Sequence, residues 1–153
     1  MKDLIFLKAE AADIPELTNI SIRSFHSDYE VGAPDKIGGP SGYDSEQFHN
    51  KMMKDSQAFY KILIDKKIIG GLFIFDKEIS HCYIGRIFLD PDYHRKGYGA
   101  KSMNFLFHVY PHVKKWSLET PPWNTRTMNF YLKLGFYIVK ETEEDLFFEK
   151  IIS

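Results

Sequence analysis

Apolar positions along this chain fall into short alternating runs and into stripes at helical spacing, and the two patterns take turns from one end to the other. Leu4-Ile5-Phe6-Leu7 reads as an opening strand. Asp13-Ile14-Pro15-Glu16 then reads as a helix start: Asp13 accepts from free N–H groups, Pro15 has no donor to waste, and Glu16 completes a capping box. Ile14, Leu17, Ser21 and Phe25 share one face of that helix. From Tyr29 to Tyr43 the pattern breaks down around Gly32, Pro34, Gly38, Gly39, Pro40 and Gly42. A loop of this length in a small fold suggests a functional or mobile segment. Asp44 to Lys54 predicts a short helix with Phe48 and Met52 one turn apart.

Two strands follow, Ala58 to Ile64 and Ile68 to Phe75, joined at Asp65-Lys66-Lys67 as a hairpin. Gly70-Gly71 inside the second signals a bulge or the close approach of another backbone. Asp76-Lys77-Glu78 is expected to turn the chain into a strand that runs over Ile84 to Leu89. Beyond it, Met103, Leu106, Phe107 and Tyr110 line one face of a helix from Ala100 to Tyr110. Lys115 to Glu119 is a strand stopped by Pro121-Pro122. Thr125 to Leu134 is a helix ended by Gly135, and Phe136 to Val139 with Leu146 to Ile152 form a closing hairpin. The sum is an α+β fold with about seven strands in a mostly antiparallel sheet and three to four helices covering it.

Composition narrows the function. The 153 residues suit one compact domain, and 44% hydrophobic with 16% aromatic residues excludes global disorder. Twenty Lys+Arg against 21 Asp+Glu, a net charge of −1, argues against a general nucleic-acid binder. A single cysteine, Cys82, leaves no intramolecular disulfide and no cysteine metal site, and it reads as a small buried side chain. No signal segment and no membrane-length apolar run is visible, so a cytoplasmic location and no membrane partner are expected. His108 and His112 have metal-pair spacing, but Pro111 breaks the helix between them, so no metal is expected.

The chemistry concentrates between the strand ending at Leu89 and the helix starting at Ala100. Asp90-Pro91 stops the strand, and Asp92-Tyr93-His94-Arg95-Lys96 leads into Gly97-Tyr98-Gly99-Ala100. The first turn of a helix presents unpaired N–H groups and the positive end of the helix dipole, which favours an anion and above all a phosphate. Gly97 and Gly99 remove the Cβ atoms that would hold an oxyanion away, and His94, Arg95 and Lys96 add positive or titratable side chains at the rim. The segment is neither a P-loop nor a full dinucleotide fingerprint.

Asp90 to Ala100 resembles the acetyl-CoA pyrophosphate loop of the GCN5-related N-acetyltransferases (GNAT), Gln/Arg-x-x-Gly-x-Gly/Ala, with His94 where Gln or Arg is usual. A second stretch, Asn124 to Phe136, is similar to the family's Asn-x-x-Ala-x-x-Phe/Leu-Tyr-x-Lys-x-Gly-Phe segment, with Thr127 in place of Ala. The resemblance implies a single N-acetyltransferase domain over residues 1–153. It also implies a GNAT fold in which the strand ending at Leu89 and the strand from Lys115 splay apart at the centre of the sheet, with a bulge near Gly85 or Arg86. Acetyl-CoA would be the cofactor, its pyrophosphate on His94, Arg95, Lys96, Gly97, Tyr98, Gly99 and Ala100, and its pantetheine arm against the backbone of Ile87, Phe88 and Leu89. An N–H of Ile87 or Phe88 would hold the oxyanion. Asn124 would contact the cofactor or serve as a plain helix N-cap.

The implied reaction is direct transfer of acetyl from the thioester to a primary amine in a ternary complex. Tyr131 matches the family's general acid; on its own it would read as a core aromatic. No carboxylate stands on the strand before the loop, where His81, Tyr83 and Arg86 are found. Glu119 therefore becomes the candidate base, working through water, against the plainer reading of a solvated strand-end charge. A small-molecule amine acceptor is expected, with a homodimer left open. Peptide or protein acetylation and an inactive acyl-CoA sensor are the alternatives. The segment from Phe25 to Phe48 would roof the acceptor; its Asp28, Glu30, Asp35, Asp44 and Glu46 against Lys36, with Phe25, Tyr29 and Tyr43 interleaved, point to a cationic amine.

Overall fold

A computed structural model describes residues 3–152. Seven strands form one sheet: β1 (Ile5–Lys8), β2 (Ala58–Ile64), β3 (Lys67–Glu78), β4 (His81–Leu89), β5 (Lys115–Thr120), β6 (Tyr137–Glu141) and β7 (Leu146–Ile151), in the order β1-β2-β3-β4-β5-β7-β6. Every pairing is antiparallel except β4 with β5. Four α-helices cover the sheet: α1 (Ile14–His26), α2 (Glu46–Asp55), α3 (Tyr98–Val109) and α4 (Thr125–Lys133). This is the α+β GNAT fold expected from the sequence.

Each face of the sheet has its own core. On one face Ile14, Leu17 and Ile20 of α1 pack with Phe59, Phe73 and Phe88, and Phe48 and Met52 of α2 join them. On the other, Met103 and Leu106 of α3 and Tyr131 of α4 cover Ile62, Ile74, Cys82, Ile84, Trp116 and Phe148. Trp116 and Phe148 are completely buried. Each such ring contributes about 2–3 kcal/mol by burial, so the helices are held by the sheet more than by their own propensity.

Local chemistry accounts for the connections. Asp65 and Lys66 both take positive φ, 49° and 66°, which gives the β2–β3 hairpin the primed turn that suits strand twist. Gly70 lies where an added Cβ would come within 2.4 Å of the Phe88 carbonyl oxygen, so β4 can approach β3 only because this residue has no side chain.

Two expectations need correction. Asp76, Lys77 and Glu78 belong to β3 and not to a turn; Asp76 pairs with Cys82, and the reversal is confined to Ile79-Ser80, where Ser80 has φ +64°. Asp13 does not cap α1 with its side chain. A 3₁₀ turn at Ala11–Asp13 precedes the helix, and the Asp13 carboxylate accepts from Glu10 N–H and from Lys61 Nζ, each at 2.8 Å. The cap has moved back by one tight turn because Asp13 is itself already helical, with φ −83° and ψ −17°.

Candidate active site

The parallel pair at the centre of the sheet shapes the site. β4 and β5 stay in register only over His81–Lys115, Cys82–Trp116 and Tyr83–Ser117, then separate. On the β3 side the register slips between Phe73 and Ile74, leaving Gly85 as the extra residue of a bulge between Ile84 and Arg86. A Cβ on Gly85 would lie 2.7 Å from the rings of Phe73 and Phe75, so a side chain there would undo the bulge. The consequence is a V whose β4 wall, from Ile84 to Leu89, has no strand partner on its β5 side.

Alternation decides which groups line that wall. Asp90 N–H donates to the Ile69 carbonyl on β3 at 2.7 Å. Two residues back, Phe88 turns its N–H and C=O to the same side, which leaves those of Ile87 and Leu89 facing the V. Ile87 is thus the free N–H of the two named as oxyanion donors. The Leu89 carbonyl is already engaged, accepting from His94 Nε2 at 2.9 Å.

That bond changes the reading of His94. Burial is the main influence on the ring and lowers its pKa, so at neutral pH His94 is an uncharged tie across the loop and not a cation at its rim. Arg95 and Lys96 are the exposed charges. Arg95 takes φ +63° and Gly97 φ +81°, which curls the chain into α3. No side chain caps α3, whereas Ser45 caps α2 through Phe48 N–H and Asn124 caps α4 through Thr127 N–H. The first-turn donors of α3, at Tyr98, Gly99 and Ala100, therefore remain available to an anion. The two glycines differ in purpose. Around Gly97 there is open space for 4 Å, while a Cβ on Gly99 would press on the Phe130 ring at 3.1 Å, so Gly99 sets the approach of α3 to α4.

Tyr131 is buried on α4, its ring 5.0 Å from Phe130, 5.4 Å from Phe136 and 5.9 Å from Phe148 by centroid. Burial pushes its hydroxyl pKa above the ordinary value, so the proton stays on. Among the described residues nothing hydrogen-bonds to that hydroxyl. Asn124 is buried, and its Oδ1 accepts from Thr127 N–H at 3.1 Å, so the N-cap role is present. Glu119, on β5 just past the point of splay, accepts from the Tyr83 hydroxyl at 2.5 Å. Burial first, and the Glu119 carboxylate second, hold Tyr83 in its protonated form.

The α1–α2 connection closes over the V. Asp28 pairs with Arg126 of α4 at 2.7 Å, and Gly32 lies so close to the Trp123 carbonyl that a Cβ would be 3.1 Å from it. Ser21 Oγ donates to the Tyr43 carbonyl at 2.8 Å, and the Tyr43 hydroxyl bonds to His26 Nε2 at 2.9 Å, so the loop is anchored at Tyr43. These contacts bear on the acids expected to attract a cationic amine. Asp28 is matched by Arg126, and Glu30, Asp35, Asp44 and Glu46 are exposed. The charge beneath the loop is positive: the guanidinium of Arg86, over the rings of Phe25, Phe48 and Phe73 at 5.8, 5.0 and 5.7 Å. Arg86 and Tyr83 were visible in the sequence only as departures from a carboxylate; the signal was a cation inside an apolar strand, next to a glycine. His49, completely buried behind them with Nδ1 2.9 Å from Thr18 Oγ1, gave no signal beyond a helical position.

Among the described residues no cluster of His, Cys, Asp or Glu is arranged to hold a metal ion, and no helix is long and apolar enough to cross a membrane.

The model of the acetyltransferase (GNAT) family matches residues 15–136, and the chain belongs to that family. A curated relative, the uncharacterized protein YrkN of Bacillus subtilis (strain 168), is 30% identical over 103 residues, 66% of this chain. The match spans 54% of that relative, about half its length. Among solved structures, the PaiA N-acetyltransferase of Thermoplasma acidophilum in complex with coenzyme A superposes with a TM-score of 0.85 at 18% identity, covering 98% of this chain and 99% of that one. The ribosomal-protein-S18-alanine N-acetyltransferase of Escherichia coli gives 0.72 at 18% identity, with 99% and 95% covered. A spermidine N-acetyltransferase SpeG chimera from Vibrio cholerae and hSSAT gives 0.70 at 15% identity, with 97% and 95% covered. Identities this low speak for the fold alone.

Proposed function

We propose that this chain is an acetyl-CoA-dependent N-acetyltransferase acting on a small primary amine. The observation that carries the reading is the uncapped N-terminus of α3 behind Gly97, at the end of a β4 edge that has lost its strand partner. One element offers donors for a pyrophosphate, and the other offers backbone groups for an amide-bearing arm. In this reading His94 orders the loop while Arg95, Lys96 and the N–H groups of Gly97 to Ala100 take the phosphates. Ile87 supplies the N–H that meets the oxyanion.

The amine nitrogen attacks the thioester carbonyl, the new N–C bond forms, and the C–S bond breaks as the tetrahedral oxyanion collapses. Tyr131, kept protonated by its burial, gives its proton to the departing thiolate. Glu119, bonded to Tyr83, draws the proton from the amine through water. The tie from Asp28 to Arg126 and the contact of Gly32 with Trp123 narrow the acceptor side, which favours a small amine over a peptide threaded through the groove. Isothermal titration with acetyl-CoA, followed by thiol release over an amine panel, tests the reading. Micromolar binding with thiol release on small amines supports it; absence of acetyl-CoA binding by the folded protein refutes it.

A further inference from the structure

A buried cation without a counter-ion is costly, and proteins tolerate one chiefly where a ligand completes it. Arg86 is half-buried, and one of its terminal nitrogens is in that position. It follows the Gly85 bulge on β4, and its guanidinium stacks within a cage of Phe25 from α1, Phe48 from α2 and Phe73 from β3. Burial lowers its pKa to about 10, so it remains charged at neutral pH. One terminal nitrogen, Nη2, donates to the Ser41 carbonyl at 3.2 Å, while Nη1 is buried and has no hydrogen-bond partner. Among the described residues no carboxylate forms an ion pair with it, and the titratable groups that bear on it are the Tyr83 phenol and the His49 imidazole.

The surroundings say what kind of ligand fits. A guanidinium presents paired N–H groups matched to the two oxygens of a carboxylate or a phosphate. Ser41 sits in the glycine-bearing loop between Gly39 and Gly42, where a neutral carbonyl holds a position that an anion would fill more strongly. On the same face, Tyr83 carries the polar line on to Glu119 at the mouth of the V. A cation and an acid are therefore set along one wall.

Resting on the acetyltransferase reading above, we infer that the acceptor amine carries an acidic group, a carboxylate or a phosphate, which displaces the Ser41 carbonyl and pairs with Arg86 while the amine nitrogen points toward Glu119 and the V. Amino acids and aminoalkyl phosphates or phosphonates meet that description; polyamines do not. The three aromatic rings beside the cation shield it in part from water and so strengthen the pair.

Matched acceptors test the inference: an amino acid, its carboxamide and the corresponding aminoalkyl phosphonate, with a polyamine beside them, at saturating acetyl-CoA. The acids are expected to exceed the carboxamide in kcat/KM by about 10- to 100-fold, the range for a hydrogen bond to a charged group, and their ratio tells carboxylate from phosphate recognition. Arg86→Gln and Arg86→Lys should erase that preference chiefly through KM, with acetyl-CoA affinity unchanged by titration. A purely structural Arg86 would lower Tm in Arg86→Gln and leave the ratio of acid to carboxamide as it was, which overturns the inference. So would equal use of polyamines and acids by the wild-type protein, although thiol release would then still uphold the acetyltransferase. If acetyl-CoA binds and no amine releases thiol, the acetyltransferase reading falls. Titration of the acids and carboxamides into the coenzyme A complex then decides the inference by itself: acid-selective binding lost in Arg86→Gln sustains it, and no selectivity refutes it.

Discussion

Tyr131 and His49 are both buried aromatic groups that can carry a proton, yet their surroundings give them opposite consequences. Tyr131 lies among Phe130, Phe136 and Phe148, so Tyr131→Phe keeps every ring contact and removes only the hydroxyl. Turnover is expected to fall roughly ten- to ten-thousand-fold with acetyl-CoA affinity unchanged, the range for a lost general acid. Wild-type turnover in a single-turnover experiment would make Tyr131 a core residue only. His49 has its pKa lowered to about 4, by burial first and by the Arg86 charge second. In the unfolded chain the ring takes a proton near pH 6.5, while the folded protein refuses it until about 4. Stability therefore drops as pH falls through that window, by up to about 3 kcal/mol. Denaturant titrations from pH 7 to 4 should show a shallower fall in His49→Gln; parallel curves would mean that His49 titrates normally.

At the scale of elements, the strands, the helices and the glycine turn before α3 were largely legible because each rests on local chemistry: period, turn residues and caps. The bulge at Gly85 could be anticipated only through resemblance, since the need for glycine comes from Phe73 and Phe75, two residues on another strand. The setting of the acids in the α1–α2 connection was hidden for the same reason. Their charge is written in the chain, but the partner of Asp28 is Arg126, 98 positions away. Gly97 and Gly99 looked alike in sequence and are not. Gly97→Val adds strain of about 1–2 kcal/mol at a positive φ but meets no neighbour, so the fold should persist while acetyl-CoA binding weakens by roughly ten- to a hundredfold. Gly99→Val should in addition lower Tm by pushing on Phe130. Titration and thermal melts on both variants separate the effects; unchanged affinity in Gly97→Val would remove the loop from the cofactor site. Asp28→Asn tests the roof. It leaves Arg126 without its partner and should raise KM for acceptors of every charge alike, without changing acetyl-CoA affinity. A charge-selective effect would restore Asp28 as a contact to the substrate.

For the whole molecule, the sheet is two halves with a weak seam. Strands β1 to β4 form one ladder and β5 to β7 another, and the ladder between them is the three register pairs of β4 with β5. Beyond those pairs the halves are connected through α3, α4 and the tie from Asp28 to Arg126. A ligand seated in the V would supply contacts to β4 and to the start of α3 that the protein alone leaves open, and so would couple the halves. Binding at a hundred times Kd adds about 2.7 kcal/mol to stability wherever the ligand sits, so a rise in Tm with acetyl-CoA does not locate the site. Amide hydrogen exchange does. Slowing is expected first at Ile87 and at Gly97 to Ala100, whose N–H groups lack protein partners, and next at β5 from Leu118 to Thr120 as the seam tightens. Amides of β1 and β2, already paired in the first ladder, should change little. If Tm rises while Ile87 and Gly97 to Ala100 exchange as before, acetyl-CoA is binding elsewhere, and the V is only a gap in the sheet.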